Sequence, residues 1–348
     1  MLAEGEFDRG RTAGYLDTAT YGLPPRATVA ALEDAVRGWQ EWDDWHRWEE
    51  DGETCRALFA RIVGAAPEDV SLQPAASAAA GIVAASLPAE PGDNVVCYER
   101  DFHSVLFPFL ALERRGIEVR LRPLDGLADA IDDRTALVAV SSVQSADGHI
   151  ADLSALRSAD VRLFVDGTQS IGALPLDLGG VDYLAVAAYK WLLCPRGLAF
   201  FYVRRQRLDE IEPWLAGWKS SRLPYQRYYG PPRELTDDAR RMDTSLAWFL
   251  AAGARPSLEL LAETGAERIA EHDLALARRF CDALGIPHAG SAIVQVETAD
   301  AEALLARLER AGVRAAGRDG AVRFSFHLYN DEADVDRALD VTQRASGA

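Results

Sequence analysis

Two short apolar runs, at 183–188 and 198–203 of the stretch VDYLAVAAYKWLLCPRGLAFFYVR, constrain the fold more than any other feature of this chain. Apolar runs of this length, bounded by turn residues, read as strands buried on both faces. Lys190 falls just past the end of the first run, and within eight residues on either side the only carboxylate is Asp182. A lysine held among Tyr189, Trp191, Leu192 and Leu193 is partly desolvated, which favours its neutral, nucleophilic form. The other reading is a surface lysine whose stem lies along apolar neighbours. This stretch alone leaves both open.

Upstream, VRLFVDGTQSIGALPLD contains an apolar strand at 161–165 that ends on Asp166. A lone carboxylate at the end of a buried strand is costly without a cationic partner. Electron-sink chemistry needs that arrangement, with a carboxylate on a pyridinium nitrogen and a lysine joined to the same ring. At these residues the chain resembles the class V aminotransferase family of pyridoxal phosphate enzymes (fold type I). That family includes cysteine desulfurases, isopenicillin N epimerase-like proteins and kynureninase. Its strand-Asp-x-x-Gln signature matches Asp166 to Gln169, and its His-Lys-Trp-Leu-x-x-Pro-x-Gly signature matches Tyr189 to Gly197. The resemblance extends over nearly the whole chain. It implies an α/β fold with a large pyridoxal-phosphate-binding domain (26–260), whose mostly parallel seven-stranded sheet lies between helices. A smaller C-terminal α+β domain (261–348) follows, and an N-terminal segment (1–25) contributes to the active-site mouth.

Composition narrows the partners. A formal charge of −17 argues against nucleic acid and acidic membranes, which need a basic face. The four cysteines form no Cys-x-x-Cys pair, so neither a metal site nor a disulfide framework is expected. The N-terminus has no apolar signal core, and no run of 18 apolar residues occurs; a cytoplasmic protein is the expectation.

The remaining site residues follow from the resemblance, taken along the chain. The segment 15–25 resembles one that lies across the active-site mouth, which makes Thr20 and Tyr21 candidates for the substrate pocket. A helix is expected over 27–51, with Trp39, Trp42, Trp45 and Trp48 forming one stripe for core or subunit packing. Ala75, Ala76 and Ser77 stand where helix N-terminal amides hold the cofactor phosphate. Phe102 stands at the position that stacks on the pyridine ring, with His103 beside it near the substrate. Ser145 and Gln169 are expected near the phenolic oxygen. Thr244 or Ser245 matches a hydroxyl that reaches the phosphate of the neighbouring subunit, so a homodimer is expected. Arg323, in a segment similar to "lRiSpH-YNt", matches the arginine that binds the substrate carboxylate, a use suited to a bidentate donor.

Two departures matter. Tyr189 and Ala187 replace a histidine and a serine that help hold the phosphate in most relatives, so binding leans on Ser77, a helix N-terminus and the partner chain. No cysteine occurs within 313–321, where desulfurases carry the persulfide-forming residue. The expected function is that of a pyridoxal phosphate enzyme acting at Cα of an amino acid through a Lys190 Schiff base. Transamination or C–S β-elimination ranks first, and epimerisation or desulfurase-like chemistry second. A catalytically inactive interaction protein on the same scaffold is the rival from another class, and retention of Asp166, Gln169, Lys190 and Arg323 together speaks against it.

Overall fold

The structure is a computed structural model that describes residues 1–157 and 161–346. Seven strands form its main sheet: β1 (Val70–Gln73), β2 (Asn94–Tyr98), β3 (Glu118–Arg122), β4 (Thr135–Ser141), β5 (Arg162–Asp166), β6 (Tyr183–Ala187) and β7 (Ala199–Val203). Their spatial order is β1-β7-β6-β5-β4-β2-β3. Pairing is parallel from β3 through β2, β4 and β5 to β6. β7 is antiparallel to both of its neighbours, β6 and β1. A parallel return needs a crossover of about a dozen residues or more, usually helical, and the loop 188–198 contains no helix. The reversal is therefore built into the short YKWLLCPRG connection.

The central strands are buried on both faces, which is why they read as unbroken apolar runs rather than alternating ones. Phe59 stacks on Phe200 at 4.2 Å between ring centroids on one side of the sheet. Phe109 meets Phe164 edge-on at 5.3 Å on the other. A second, antiparallel sheet holds β8 (Ile293–Val296), β9 (Ala316–Arg318) and β10 (Ala321–Ser325) in the order β8-β10-β9. The helices Ala266–Leu284, Ala301–Arg310 and Glu332–Ser346 pack on it around a core of its own. Among the described residues no helix is long and apolar enough to cross a membrane.

The expected single helix over 27–51 is two helices, Arg26–Gln40 and His46–Val63. Trp42 takes a left-handed backbone (φ 68°) between them, and the Asp44 carboxylate accepts from the His46 N–H at 3.1 Å, starting the second helix. Asp44 thus turns the chain into a new helix, and Asp43 pairs with Arg47 of that helix at 2.6 Å, instead of continuing the old one. The break scatters the expected stripe: Trp48 is buried, Trp45 stacks on Trp248, and Trp39 and Trp42 stay exposed. The helix Trp248–Thr264, which packs against both, carries little signal in the sequence, because Gly253 and Pro256 break its pattern from within.

Two connections fix the loop that carries Lys190. Tyr15 and Asp17 bridge to Arg314 and Ser325, so the N-terminal segment adds to the smaller sheet before turning toward the loop. There the Gly22 N–H donates to the Tyr189 carbonyl at 2.9 Å. A Cβ on Gly22 would stand 2.1 Å from the Lys190 carbonyl oxygen, so only glycine passes. From the other side, buried His327 bonds the Trp191 carbonyl through Nε2 (3.0 Å) and Asp273 through Nδ1 (2.8 Å). Burial pushes the Asp273 carboxyl up to about 6, against the pull of His327.

Candidate active site

Several strands of the main sheet deliver a residue or turn to the same edge. β5 ends on Asp166, β6 runs into Tyr189 and Lys190, β4 ends on Ser141, and β1 leads through Pro74 into the helix Ala76–Ser86. Carboxyl ends of parallel strands are where ligands gather in open α/β sheets. Two cavities open there. The smaller, of about 220 Å³, is lined by Ala75, Ala76, Ser77, Phe102, Asp166 and Lys190, with Ser145, Gln169, Tyr189 and Arg196 also on its wall. The larger, of about 440 Å³, shares Phe102, Ser145, Tyr189, Lys190 and Arg196 and adds Thr20, Tyr21 and Arg318.

Lys190 is buried. Its Nζ lies 5.3 Å from the Phe102 ring centroid and 5.9 Å from that of Tyr189. The loop is pinned by Leu193, which donates to the Lys190 carbonyl at 3.1 Å from a left-handed backbone (φ 57°), a conformation a leucine takes at some cost in strain. Burial lowers the Lys190 pKa to about 8. The charge of Asp166 opposes that shift, and Arg323, Arg318 and Arg196 add to it.

Asp166 accepts from the Thr168 N–H at 2.7 Å. Burial raises its pKa, the bonds from Thr168 and the charge of Lys190 pull the other way, and no arginine or lysine reaches it within ion-pair distance among the described residues. It is a buried carboxylate facing a cavity without a cation on it, which is where a protonated ring nitrogen would fit. Phe102 is held over the cavity by Asp101, whose carboxylate accepts from the Phe102 N–H and from the Ser141 N–H, both at 2.7 Å. Burial raises Asp101 to about 6 despite those bonds. The sequence offered no motif for Asp101, since its role depends on the pairing of the β2 exit with the end of β4.

The anion end of the smaller cavity is equally specific. No side chain caps the helix Ala76–Ser86, so its first amides lack partners within the helix. Ser77 and Arg196 line the same wall, and Asp166 is the only carboxylate there among the described residues. The donor set suits an aromatic ring with an acidic tail, as pyridoxal phosphate has.

Three expected residues sit differently. His103 lines neither cavity and stacks on Phe107 at 4.1 Å. As the first residue of the helix His103–Leu110, it points away from the position that Phe102 takes. Gln169 is in the wall, but its amide N–H groups go to the Ala19 carbonyl and the Ser145 hydroxyl, both at 3.0 Å, and its oxygen accepts from Trp191 at 2.8 Å. Arg323 is buried behind the wall and lines neither cavity. Thr244 and Ser245 border a separate cleft of about 50 Å³ that shares Pro74, Gly197 and Leu198 with the smaller cavity. Cys194 does line the larger cavity. Its thiol is buried and pushed well above the ordinary range, so it is no thiolate nucleophile.

Comparison with known proteins agrees with this geometry. The model of the family "Aminotransferase class-V" matches residues 45–338. The chain is 29% identical over 318 residues to the uncharacterized aminotransferase YcbU of Bacillus subtilis, covering 85% of this chain and 84% of that protein. It is 25% identical over 386 residues to the cysteine desulfurase IscS of Photorhabdus laumondii, covering 96% and 92%. The crystal structure of the cysteine desulfurase CsdA from Escherichia coli shares its fold, with a TM-score of 0.85 at 21% identity over 98% of this chain and 97% of that one. A complex of the cystine C–S lyase C-DES superposes with a TM-score of 0.86 at 21% identity, covering 95% and 97%. With a buried lysine and a buried aspartate facing one cavity on this fold, the chain belongs to the aminotransferase class V family and is a pyridoxal-phosphate-dependent enzyme of fold type I.

Proposed function

We propose that this enzyme acts at Cα of an α-amino acid with a free carboxylate, by transamination or by β-elimination at a C–S bond. The observation that carries the reading is the meeting of Lys190, Asp166 and Phe102 around one cavity at the carboxyl ends of β6 and β5. The bound cofactor supplies an electron sink for the charge left at Cα. Lys190 is the residue that holds it covalently and then takes and returns the Cα proton as a general base. Asp166 keeps a proton on the ring nitrogen, Phe102 stacks on the ring face, and Gln169 orients Ser145 beside the ring. Ser77, the amides of Ala75 and Ala76, Tyr189 and Arg196 hold the phosphate. Thr20 and Tyr21 belong to the substrate side, in a chamber larger than a cysteine side chain needs. Assaying purified holoenzyme with amino acids against a panel of keto acids, in parallel with a keto-acid-plus-sulfide assay on cysteine derivatives, separates the two reactions. Turnover in neither, with the cofactor in place, overturns the reading.

The pKa of Lys190 sets the pH dependence of cofactor uptake. An amine attacks the cofactor aldehyde only when neutral. Because burial lowers this amine to about 8, the rate of cofactor uptake by apoprotein rises with pH to a midpoint near 8 and levels off above it. Stopped-flow absorbance across pH 6–10 measures this. A rate still climbing toward the ordinary lysine range, about 10, contradicts it.

We also infer a homodimer in which Thr244 or Ser245 of each subunit completes the phosphate site of the other. Their cleft adjoins the anion end of the smaller cavity without opening on it. The exposed Trp39 and Trp42 supply apolar surface of the kind that interfaces bury. Light scattering that finds a monomer with full cofactor occupancy rules this out.

A further inference from the structure

Arg323 has no terminal N–H left to offer a substrate. Its Nη1 donates to the Ser145 carbonyl (2.6 Å) and the Ser145 hydroxyl (3.2 Å). Its Nη2 donates to Asp17 (3.2 Å) and to the Thr20 hydroxyl (2.7 Å). Those four bonds use the four terminal N–H groups. Nε is buried without a partner.

Arg318 is placed otherwise. It stands at the end of β9, in the hairpin that leads to β10, and lines the larger chamber together with Thr20, Ser145 and Lys190. It donates from Nη1 to the Gly317 carbonyl (2.6 Å) and from Nη2 to the Thr20 hydroxyl (3.1 Å). Among the described residues no carboxylate lies within ion-pair distance of it, since its neighbour Asp319 pairs with Arg100. Among the described residues no acidic side chain lines this chamber, while Lys190, Arg196 and Arg318 do. The chamber is set for an anion.

Thr20 adds a directional constraint. A hydroxyl has two acceptor lone pairs and one proton. Both lone pairs are engaged, one by Arg323 and one by Arg318. The proton can therefore only donate, and Thr20 faces the chamber. Two guanidinium groups thus turn an ambivalent hydroxyl into a fixed donor aimed where an acceptor must come.

We infer that the substrate carboxylate is gripped by the Arg318 guanidinium and the Thr20 hydroxyl, with Arg323 as the buried positioning residue that fixes Thr20. The inference rests on the proposed reaction at Cα. It departs from the expectation that Arg323 itself makes the contact.

Two aminooxy reagents test it without knowledge of the substrate side chain. Aminooxyacetate carries a carboxylate and O-methylhydroxylamine does not, yet both displace the lysine amine from the bound cofactor and shift its absorbance. The quantity read on holoenzyme is the ratio of their second-order rate constants. Arg318→Gln lowers that ratio about 10- to 100-fold, the loss expected for a charged hydrogen bond, with little change for O-methylhydroxylamine. Thr20→Val lowers it about 3- to 10-fold. Arg318→Lys, which keeps charge but not the fork, restores part of it. Arg323→Lys, still able to donate to Thr20, keeps more of the ratio than Arg323→Met. A ratio unchanged in Arg318→Gln but collapsed in Arg323→Met overturns the inference while leaving the proposed function intact. A cofactor band that neither reagent moves overturns both.

Discussion

Replacing Lys190 with alanine lowers turnover by at least about 10²- to 10⁴-fold, the range that a positioned general base supplies. The same change removes the covalent hold on the cofactor. The purified variant should lose the absorbance at about 420 nm that a lysine-linked cofactor shows. Free amine added in solution restores part of the activity, since the chamber of about 440 Å³ that opens beside Lys190 admits a small base. Measuring turnover with and without added amine separates the chemistry of Lys190 from its packing. A variant that keeps more than a tenth of wild-type turnover contradicts the role given to this residue.

The second large effect lies outside the cavities. Arg56 and Asp243 form an ion pair at 2.6 Å with both side chains buried. Arg56 also donates to the Val70 carbonyl and to Glu53. Asp243 accepts from Ser71 (3.0 Å) and from the Leu72 N–H (2.9 Å) as well. The pair joins the helix His46–Val63, edge strand β1 and the segment leading to Thr244 and Ser245. Asp243→Ala takes from the buried guanidinium its one buried carboxylate, leaving only the half-exposed Glu53, and should destabilise the protein by about 3 kcal/mol, read as a shift in the denaturant midpoint. Arg56→Met with Asp243→Leu should cost much less than either single change, because an apolar pair leaves no buried charge unpaired. Equal losses in the single and double variants contradict this. Because β1 leads into the helix at the anion end of the smaller cavity, Asp243→Ala should also weaken cofactor retention.

The residues most legible in the sequence are those whose position is set by the main chain. Asp166 and Lys190 follow buried apolar runs, and a run that ends on a polar residue at a sheet edge announces a site. Phe102, Ser77 and Ser145 were also placed by segment, at strand exits whose length leaves little choice. What escaped reading depends on side-chain direction or on partners far away in sequence. Arg323 occupies the matching strand position, but its fork turns inward to Ser145, Asp17 and Thr20, partners that lie 178 to 306 residues earlier in the chain. Arg318 carries no local signal, because a lone arginine before Asp319 and Gly320 reads as an ordinary turn. Asp101 looked like one more loop acid until β4 met it. The tryptophan helix failed for a different reason. Periodicity carried the pattern across Trp42, while the left-handed backbone there and the Asp44 bond to the His46 N–H start a second helix.

The account turns on one covalent contact, between Lys190 and the cofactor. Borohydride reduction of the purified holoenzyme, followed by proteolysis and mass spectrometry, reads it directly. The account predicts the reduced cofactor on the peptide carrying Lys190 and on no other. Label on a different lysine, or a Lys190 peptide of unmodified mass from protein that holds its full complement of cofactor, would contradict it.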